Sequence, residues 1–318
     1  MNFKALSASV VGLASVVLLS GCASASEPQQ SSGFPAEIVI GAIPNENSTD
    51  LTGTYEPLIK MIEAETGSKV KLQQASDYAG IVEGMIANRV DIAFLGPFSY
   101  VIATANKADI QPLGALTKAK DTPAGYYSLG ITQGSNDAVN GIEDFAGKDT
   151  CFVDPGSTSG FLYPSAGLIS SGVASSGKES DISKALKPIY AGSHDASALS
   201  VKSGQCEVGF AMQSMVEDTL PGKGELQAGE LKSVWKSEMI PGSVFAVRNK
   251  LGDDTVAKLT ALFTEKANAE YFESQGYCTG KECLMTGEHA WGVVKAGDAD
   301  YDGIRNVCLT TKSEKCEP

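Results

Sequence analysis

From residue 37 onward, short β-branched runs alternate with longer stretches whose apolar residues recur at helical spacing. Residues 37–43 (E-I-V-I-G-A-I) predict a strand. Over 55–66, Leu58, Ile59 and Ile62 share a helical face, and Gly67 ends the run. Residues 69–74 alternate as a strand. Over 79–88, Ile81, Val82, Met85 and Ile86 fall on one side of a helix. Residues 91–95 read as a buried strand, and Gly96-Pro97 separates it from another helix. This rhythm predicts a parallel sheet covered by helices. A second unit follows, with strands at 125–132, 149–153, 186–190 and 206–211 and helices at about 159–170 and 194–202. Strands at 231–235 and 243–247 bring the chain back, and 253–272 reads as the longest helix. The expected fold class is α/β with two lobes. Residues 37–124 and 244–318 form lobe 1, and 125–243 form lobe 2. Extended crossings near 124–127 and 240–244 would let the lobes hinge closed on a ligand.

The first 36 residues carry no such rhythm. Lys4 precedes an apolar run over 6–19, shorter than the roughly 20 residues a membrane-spanning helix needs. Leu19-Ser20-Gly21-Cys22 looks like a bacterial lipobox. Residues 1–21 are therefore expected to be a lipoprotein signal peptide, with Cys22 acylated as the first mature residue. Residues 22–36, rich in Ser, Ala, Gln and Pro, read as a flexible tether. The protein would be exported and lipid-anchored at the outer or periplasmic face of a bacterial membrane.

Composition narrows the function. Of 318 residues, 42% are hydrophobic, which excludes wholesale disorder. Lys+Arg number 25 against 38 Asp+Glu, a net charge of −13, so sequence-independent nucleic-acid binding is excluded. His194 and His289 are the two histidines, so a His-rich metal site is excluded too, and no cofactor or metal is implied. Beyond Cys22 stand Cys151, Cys206, Cys278, Cys283, Cys308 and Cys316, an even number that suggests disulfides in an exported protein. Local spacing favours Cys278–Cys283 and Cys308–Cys316, leaving Cys151–Cys206. Free thiols are the alternative, and a zinc site would need a C-x-x-C pair that the chain lacks.

The strongest chemical signal is Asp154-Pro155-Gly156-Ser157-Thr158-Ser159-Gly160, joining a strand to a helix. A helix start offers unpaired N–H groups and a positive dipole end. Three hydroxyls there make a seat for a small oxyanion without Lys or Arg. One hydroxyl would suffice for plain N-capping. His194 opens a further helix and could donate to an anion, with a charge state tunable near neutral pH. Tyr78 opens the helix after the 69–74 strand, and Tyr126 and Tyr127 sit at a crossing. Their hydroxyls could donate, although packing is the usual role of tyrosine. A serine hydrolase is disfavoured, since Gly156 and Gly160 bracket Thr158 where a nucleophile elbow needs serine. No Lys follows the hydroxyl run, so it is not a Walker loop.

Several segments together resemble a known family. They are Asp77-Tyr78-Ala79-Gly80 with Glu83-Gly84-Met85, Val90-Asp91-Ile92-Ala93-Phe94-Leu95-Gly96-Pro97, Gly125-Tyr126-Tyr127-Ser128, the 154–160 run, His194 with Ala198-Leu199, and Trp235-Lys236-Ser237 through Ile240-Pro241-Gly242. In this order they are similar to the PhnD-like solute-binding proteins of phosphonate, phosphite and phosphate ABC importers. The resemblance implies a two-lobed type II periplasmic-binding-protein fold. It implies that Ser157, Thr158, Ser159 and His194 hold the oxygens on phosphorus, that Tyr78 contributes from the other lobe, and that Tyr126 lies at the hinge. The implied partners are a small phosphorus oxyanion and a membrane permease, with the binding protein itself a monomer. Gly96, Ser214 and Ser243 are expected beside the ligand. Family members that take an aminoalkylphosphonate carry carboxylates where Ser214 and Ser243 stand here. The expectation is therefore a ligand with a small or uncharged substituent, such as phosphite or methylphosphonate, unless Glu217 or Asp218 compensates. Inorganic phosphate, or a sensing role in place of transport, is the alternative.

Overall fold

The computed structural model describes residues 33–44 and 51–316. The signal segment, Cys22 and most of the tether lie outside the described residues. In chain order the strands are β1 (Glu37–Ala42), β2 (Lys69–Gln74), β3 (Ile92–Leu95), β4 (Ile110–Thr117), β5 (Gly125–Tyr126), β6 (Ser128–Gln133), β7 (Asp149–Phe152), β8 (Lys187–Tyr190), β9 (Val208–Met212), β10 (Leu231–Lys236), β11 (Ile240–Pro241), β12 (Val244–Arg248) and β13 (Gly292–Val294).

They form two main sheets. The first has six strands in the order β13-β4-β12-β3-β1-β2, and the second has five, β10-β6-β9-β7-β8. β1 runs parallel to β2 and β3, as expected for strands joined by helical crossovers. β12 arrives late in the chain and lies antiparallel between β3 and β4. The short strands β5 and β11, which join the two sheets, pair with each other, Tyr126 opposite Ile240.

Three local readings are corrected. The sequence pattern does not reveal β4, because Pro112 and Gly114 look like breakers. Pro112 is tolerated because the register against β12 shifts there, between Phe245 and Ala246, and a bulge needs no regular ladder donor. The 253–272 run is two helices, Asp253–Lys266 and Ala269–Ser274, and the longest helix among the described residues is Leu51–Thr66. Asn268 divides them, its side chain accepting the Tyr271 N–H at 2.9 Å as an N-cap. The 125–132 run breaks at Tyr127 into β5 and β6.

Three disulfides join Cys151 to Cys206, Cys278 to Cys283 and Cys308 to Cys316. Behind β7 and β9, Phe145, Phe152, Phe161 and Phe210 pack at ring separations of 5.1–5.6 Å. At about 1.5–3 kcal/mol per buried large side chain, this cluster anchors the helix that follows β7. The helix Asp302–Thr311 then packs against both Pro97–Ala105 and Tyr163–Ser170, and the Thr311 carbonyl accepts the Gly177 N–H at 2.6 Å. Among the described residues no helix is long and apolar enough to cross a membrane.

Candidate functional site

Residues 154–162 leave β7 in a tight turn. The Asp154 carboxylate accepts the Gly156 N–H at 2.6 Å, and the Asp154 carbonyl accepts the Ser157 N–H at 2.9 Å. Ser157 keeps extended backbone and caps the helix, its hydroxyl accepting the Gly160 N–H at 3.0 Å. Thr158–Leu162 winds as a π turn before the regular helix Tyr163–Ser170. Gly160 is required here, since a Cβ would stand 2.3 Å from Val153 Cβ. Ser157, Thr158 and Ser159 are each 1% exposed. Burial of three hydroxyls is expensive unless each has a partner.

The partners come from both sides. The Phe98 N–H donates to Thr158 Oγ1 at 2.9 Å, and the Ser99 hydroxyl donates to the Gly156 carbonyl at 2.9 Å. Gly96 permits this approach, because a Cβ there would lie 3.0 Å from Thr158 Oγ1. The Ser128 hydroxyl donates to the Ser159 carbonyl at 2.6 Å. Thr158 and Ser157 thus accept from the protein and keep their O–H groups to donate.

His194 completes this wall. Its Nδ1 accepts the Met212 N–H at 3.0 Å, which assigns the proton to Nε2, and Nε2 stands 3.5 Å from Ser159 Oγ. Burial lowers its pKa to about 3. The expectation of a charge tunable near neutral pH is thereby corrected: His194 is a fixed, neutral N–H donor.

The facing wall is built from tyrosines. Tyr78 begins the helix Tyr78–Ile86, capped by Asp77, and its N–H donates to the Asp154 carboxylate at 3.4 Å. Burial raises the Asp154 pKa. The Tyr78 hydroxyl faces Ser157, but it is buried outside hydrogen-bonding geometry with any described protein group. The Tyr126 hydroxyl, on β5, faces Thr158, Ser159 and Ser243. Burial raises both phenols well above the usual tyrosine range, so they stay protonated donors.

Two groups here were missed in the sequence. The Tyr55 hydroxyl is buried without a hydrogen-bond partner among the described residues. Glu288 is buried as well, and Ser243 Oγ donates to its Oε1 at 2.5 Å. Burial pushes the Glu288 pKa up to about 7, against the lowering effects of Ser243 and Lys118. Its charge is felt at Tyr55, Tyr78, Tyr126 and Tyr301. The expectation that serine at 243 leaves this end without a carboxylate is corrected, because Glu288 supplies one through the Ser243 hydroxyl. Neither candidate substitute does so: Glu217 accepts from Gln213 at 2.6 Å, and Asp218 pairs with exposed Lys118 at 2.8 Å. No periodicity marks Glu288, which lies on a hairpin tip 45 positions from Ser243.

The structure therefore gathers Tyr78, Tyr126, Ser157, Thr158, Ser159, His194, Gly96 and Ser243 in one place. Ser214 is buried two residues past Met212, but no hydrogen bond ties it to this group among the described residues. The assembled set is rich in neutral donors and includes no Lys or Arg; Asp154 is occupied by the backbone N–H groups of Gly156 and Tyr78, and Glu288 by the Ser243 hydroxyl. Such a set suits a small oxyanion held by dipoles.

Comparison with known proteins identifies the family. Residues 40–301 match the model of a family described as ABC transporter, phosphonate, periplasmic substrate-binding protein. The chain is 55% identical over 303 residues to the phosphate-import protein PhnD of Mycolicibacterium smegmatis, covering 95% of this chain and 94% of that protein. It is 33% identical over 227 residues to the phosphonates-binding periplasmic protein of Escherichia coli, covering 70% and 64%. Among solved structures it is similar to a binding-protein component of an ABC phosphonate transporter from Pseudomonas aeruginosa, with a TM-score of 0.72, 30% identity and coverage of 88% and 87%. The fold is the two-lobed type II periplasmic-binding-protein fold.

Proposed function

This chain belongs to the phosphonate family of periplasmic substrate-binding proteins of ABC transporters, and we propose that it captures a small phosphorus oxyanion between its lobes. The oxyanion sits on the hydroxyls of Ser157, Thr158 and Ser159, with His194 Nε2–H beside it. Tyr78 and Tyr126 close over it from the facing wall. The lobes are residues 37–124 with 244–318, and residues 125–243, and the β5–β11 pair is their hinge. The closed form docks on a membrane permease, and a lipid on Cys22 holds the protein at the membrane.

The observation that carries this reading is the burial of three consecutive hydroxyls at one helix start, opposite a buried tyrosine hydroxyl without a partner among the described residues. Capping uses the Ser157 oxygen and the Phe98 N–H uses that of Thr158, which leaves the O–H groups of both to donate to a ligand. The name of the mycobacterial relative supports inorganic phosphate as a member of the ligand class.

Titration calorimetry with phosphate, phosphite, methylphosphonate, aminoethylphosphonate and sulfate tests the reading. Tight binding of at least one phosphorus oxyanion, with sulfate weak, is the expected result. Silence from every phosphorus oxyanion would overturn it.

A further inference from the structure

The oxyanion seat accounts for Ser157, Thr158, Ser159 and His194, but not for a carboxylic acid inside a cleft that receives an anion. Glu288 is 8% exposed, and its Oε1 accepts the Ser243 hydroxyl at 2.5 Å. Tyr126 links this pair to the seat, since its hydroxyl lies close enough to interact with those of Ser243, Thr158 and Ser159. The unpartnered hydroxyls of Tyr55 and Tyr78 lie within the field of the same carboxyl. Glu288 thus stands across a short chain of hydroxyls from the helix start.

The hairpin that carries it is held firmly. Met285 and Ala290 bridge its base, the Glu288 N–H donates to Thr286 Oγ1 at 3.2 Å, and the Thr219 hydroxyl donates to the Gly287 carbonyl at 3.1 Å from the second-sheet side. Thr286 and His289 both take left-handed backbone, φ 57° and 52°. That conformation is costly for a β-branched residue and persists where surroundings impose it.

A carboxylate beside an oxyanion, with no cation between them, is repulsive. Lys118, the cation whose field reaches Glu288, is exposed and paired with Asp218. A proton placed between the two anions turns repulsion into a charge-assisted hydrogen bond. Hydrogen phosphate carries that proton on its own P–OH, even as a dianion. The dianions of phosphite and methylphosphonate carry none, and neither does sulfate. We infer that Glu288 is a specificity-determining residue: its carboxylate accepts the P–OH of hydrogen phosphate held on the Ser157–Thr158–Ser159 seat. The inference rests on the proposed oxyanion seat. A ligand ammonium is the other group a carboxylate could meet. A site built for a hydroxyl rejects analogues lacking it, since its buried acceptor is left unpaired.

The test measures affinities for phosphate, phosphite, methylphosphonate, aminoethylphosphonate and sulfate on the wild-type protein from about pH 6 to about pH 8.5, a span across which Glu288 loses its own proton and phosphite and methylphosphonate lose their P–OH, so that hydrogen phosphate alone still brings one. Phosphate affinity should change little. The affinities of phosphite and methylphosphonate should fall at least roughly tenfold relative to phosphate, with sulfate weak throughout. In Glu288→Gln, whose amide can donate to an oxyanion, phosphate should weaken at least roughly tenfold and the other dianions should gain on it. The wild-type pH series decides the matter even if the variant does not fold. Equal affinity for all dianions at high pH would overturn the role of Glu288 while leaving the seat standing. Tighter binding of aminoethylphosphonate than of phosphate would overturn it in favour of an ammonium partner. Absence of binding by every phosphorus oxyanion would instead mean that the seat itself is wrong.

Discussion

The two walls of the cleft differ in how their polar atoms are satisfied. On the second-sheet wall, Ser157 accepts from Gly160, Thr158 from Phe98, and His194 from Met212. That wall is pre-organised by the backbone and backed by a phenylalanine cluster. On the facing wall, the Tyr55 and Tyr78 hydroxyls are buried without partners among the described residues, and Glu288 is pushed toward neutrality. One wall is complete as folded, whereas the other carries an uncompensated desolvation cost. Stability and binding should therefore respond in opposite senses on the two sides.

The largest effect tests the completed wall from beneath. Cys151→Ser with Cys206→Ser opens a crosslink spanning 55 positions. The loss should be about 4 kcal/mol in the loop-entropy account. Denaturant unfolding measures it, and a loss no greater than that from opening Cys278–Cys283 would mean that the wall does not depend on this bond.

On the facing wall Glu288→Gln should raise stability. The carboxyl pKa is raised in the fold to about 7. The folded state therefore holds its proton longer than the unfolded chain, and stability falls as pH rises through that window. In ligand-free protein the gain from Gln should reach up to about 3 kcal/mol near pH 8 and vanish near pH 4. Thermal midpoints across pH check this, and a gain independent of pH would contradict it.

Ser157→Ala should weaken oxyanion binding by roughly 1.5–3 kcal/mol, the range for a hydrogen bond to a charged group. It should also lower stability by about 1 kcal/mol, because the cap is lost. Tyr78→Phe sharpens the contrast. Its hydroxyl has no protein partner to lose, so stability should hold or rise by about 1 kcal/mol while affinity falls. Calorimetry and thermal unfolding on both variants separate the walls, and a matching loss of stability in Tyr78→Phe would remove the distinction.

Legibility in the sequence followed the same division. The helix start at 157–159 was readable because its chemistry is local: turn, hydroxyls and helix lie within a few residues. Tyr78 and His194 stood out for the same reason, each opening a helix. Tyr55 sits inside a regular amphipathic helix, where an aromatic residue reads as core. Glu288 sits on a hairpin tip, and its meaning depends on Ser243, a contact no periodicity encodes. The fold was legible where strand and helix alternate. It was obscured at Pro112, whose bulge depends on β12 far along the chain, and at 253–272, where one cap residue decides between one helix and two.

The central position of β12 also orders events in time. β3 and β4 are only a short helix apart in sequence, yet they are not neighbours in the sheet, because residues 244–248 lie between them. A chain emerging from a ribosome or a translocation pore can assemble the second sheet from residues 128–236 alone. The first sheet must wait for a strand more than a hundred residues downstream, and pairings of such long sequence separation form slowly. The wall bearing Glu288 is therefore the last part of the cleft to be completed, and a newly made molecule acquires the hydroxyls of residues 157–159 before the carboxyl of Glu288 stands opposite them.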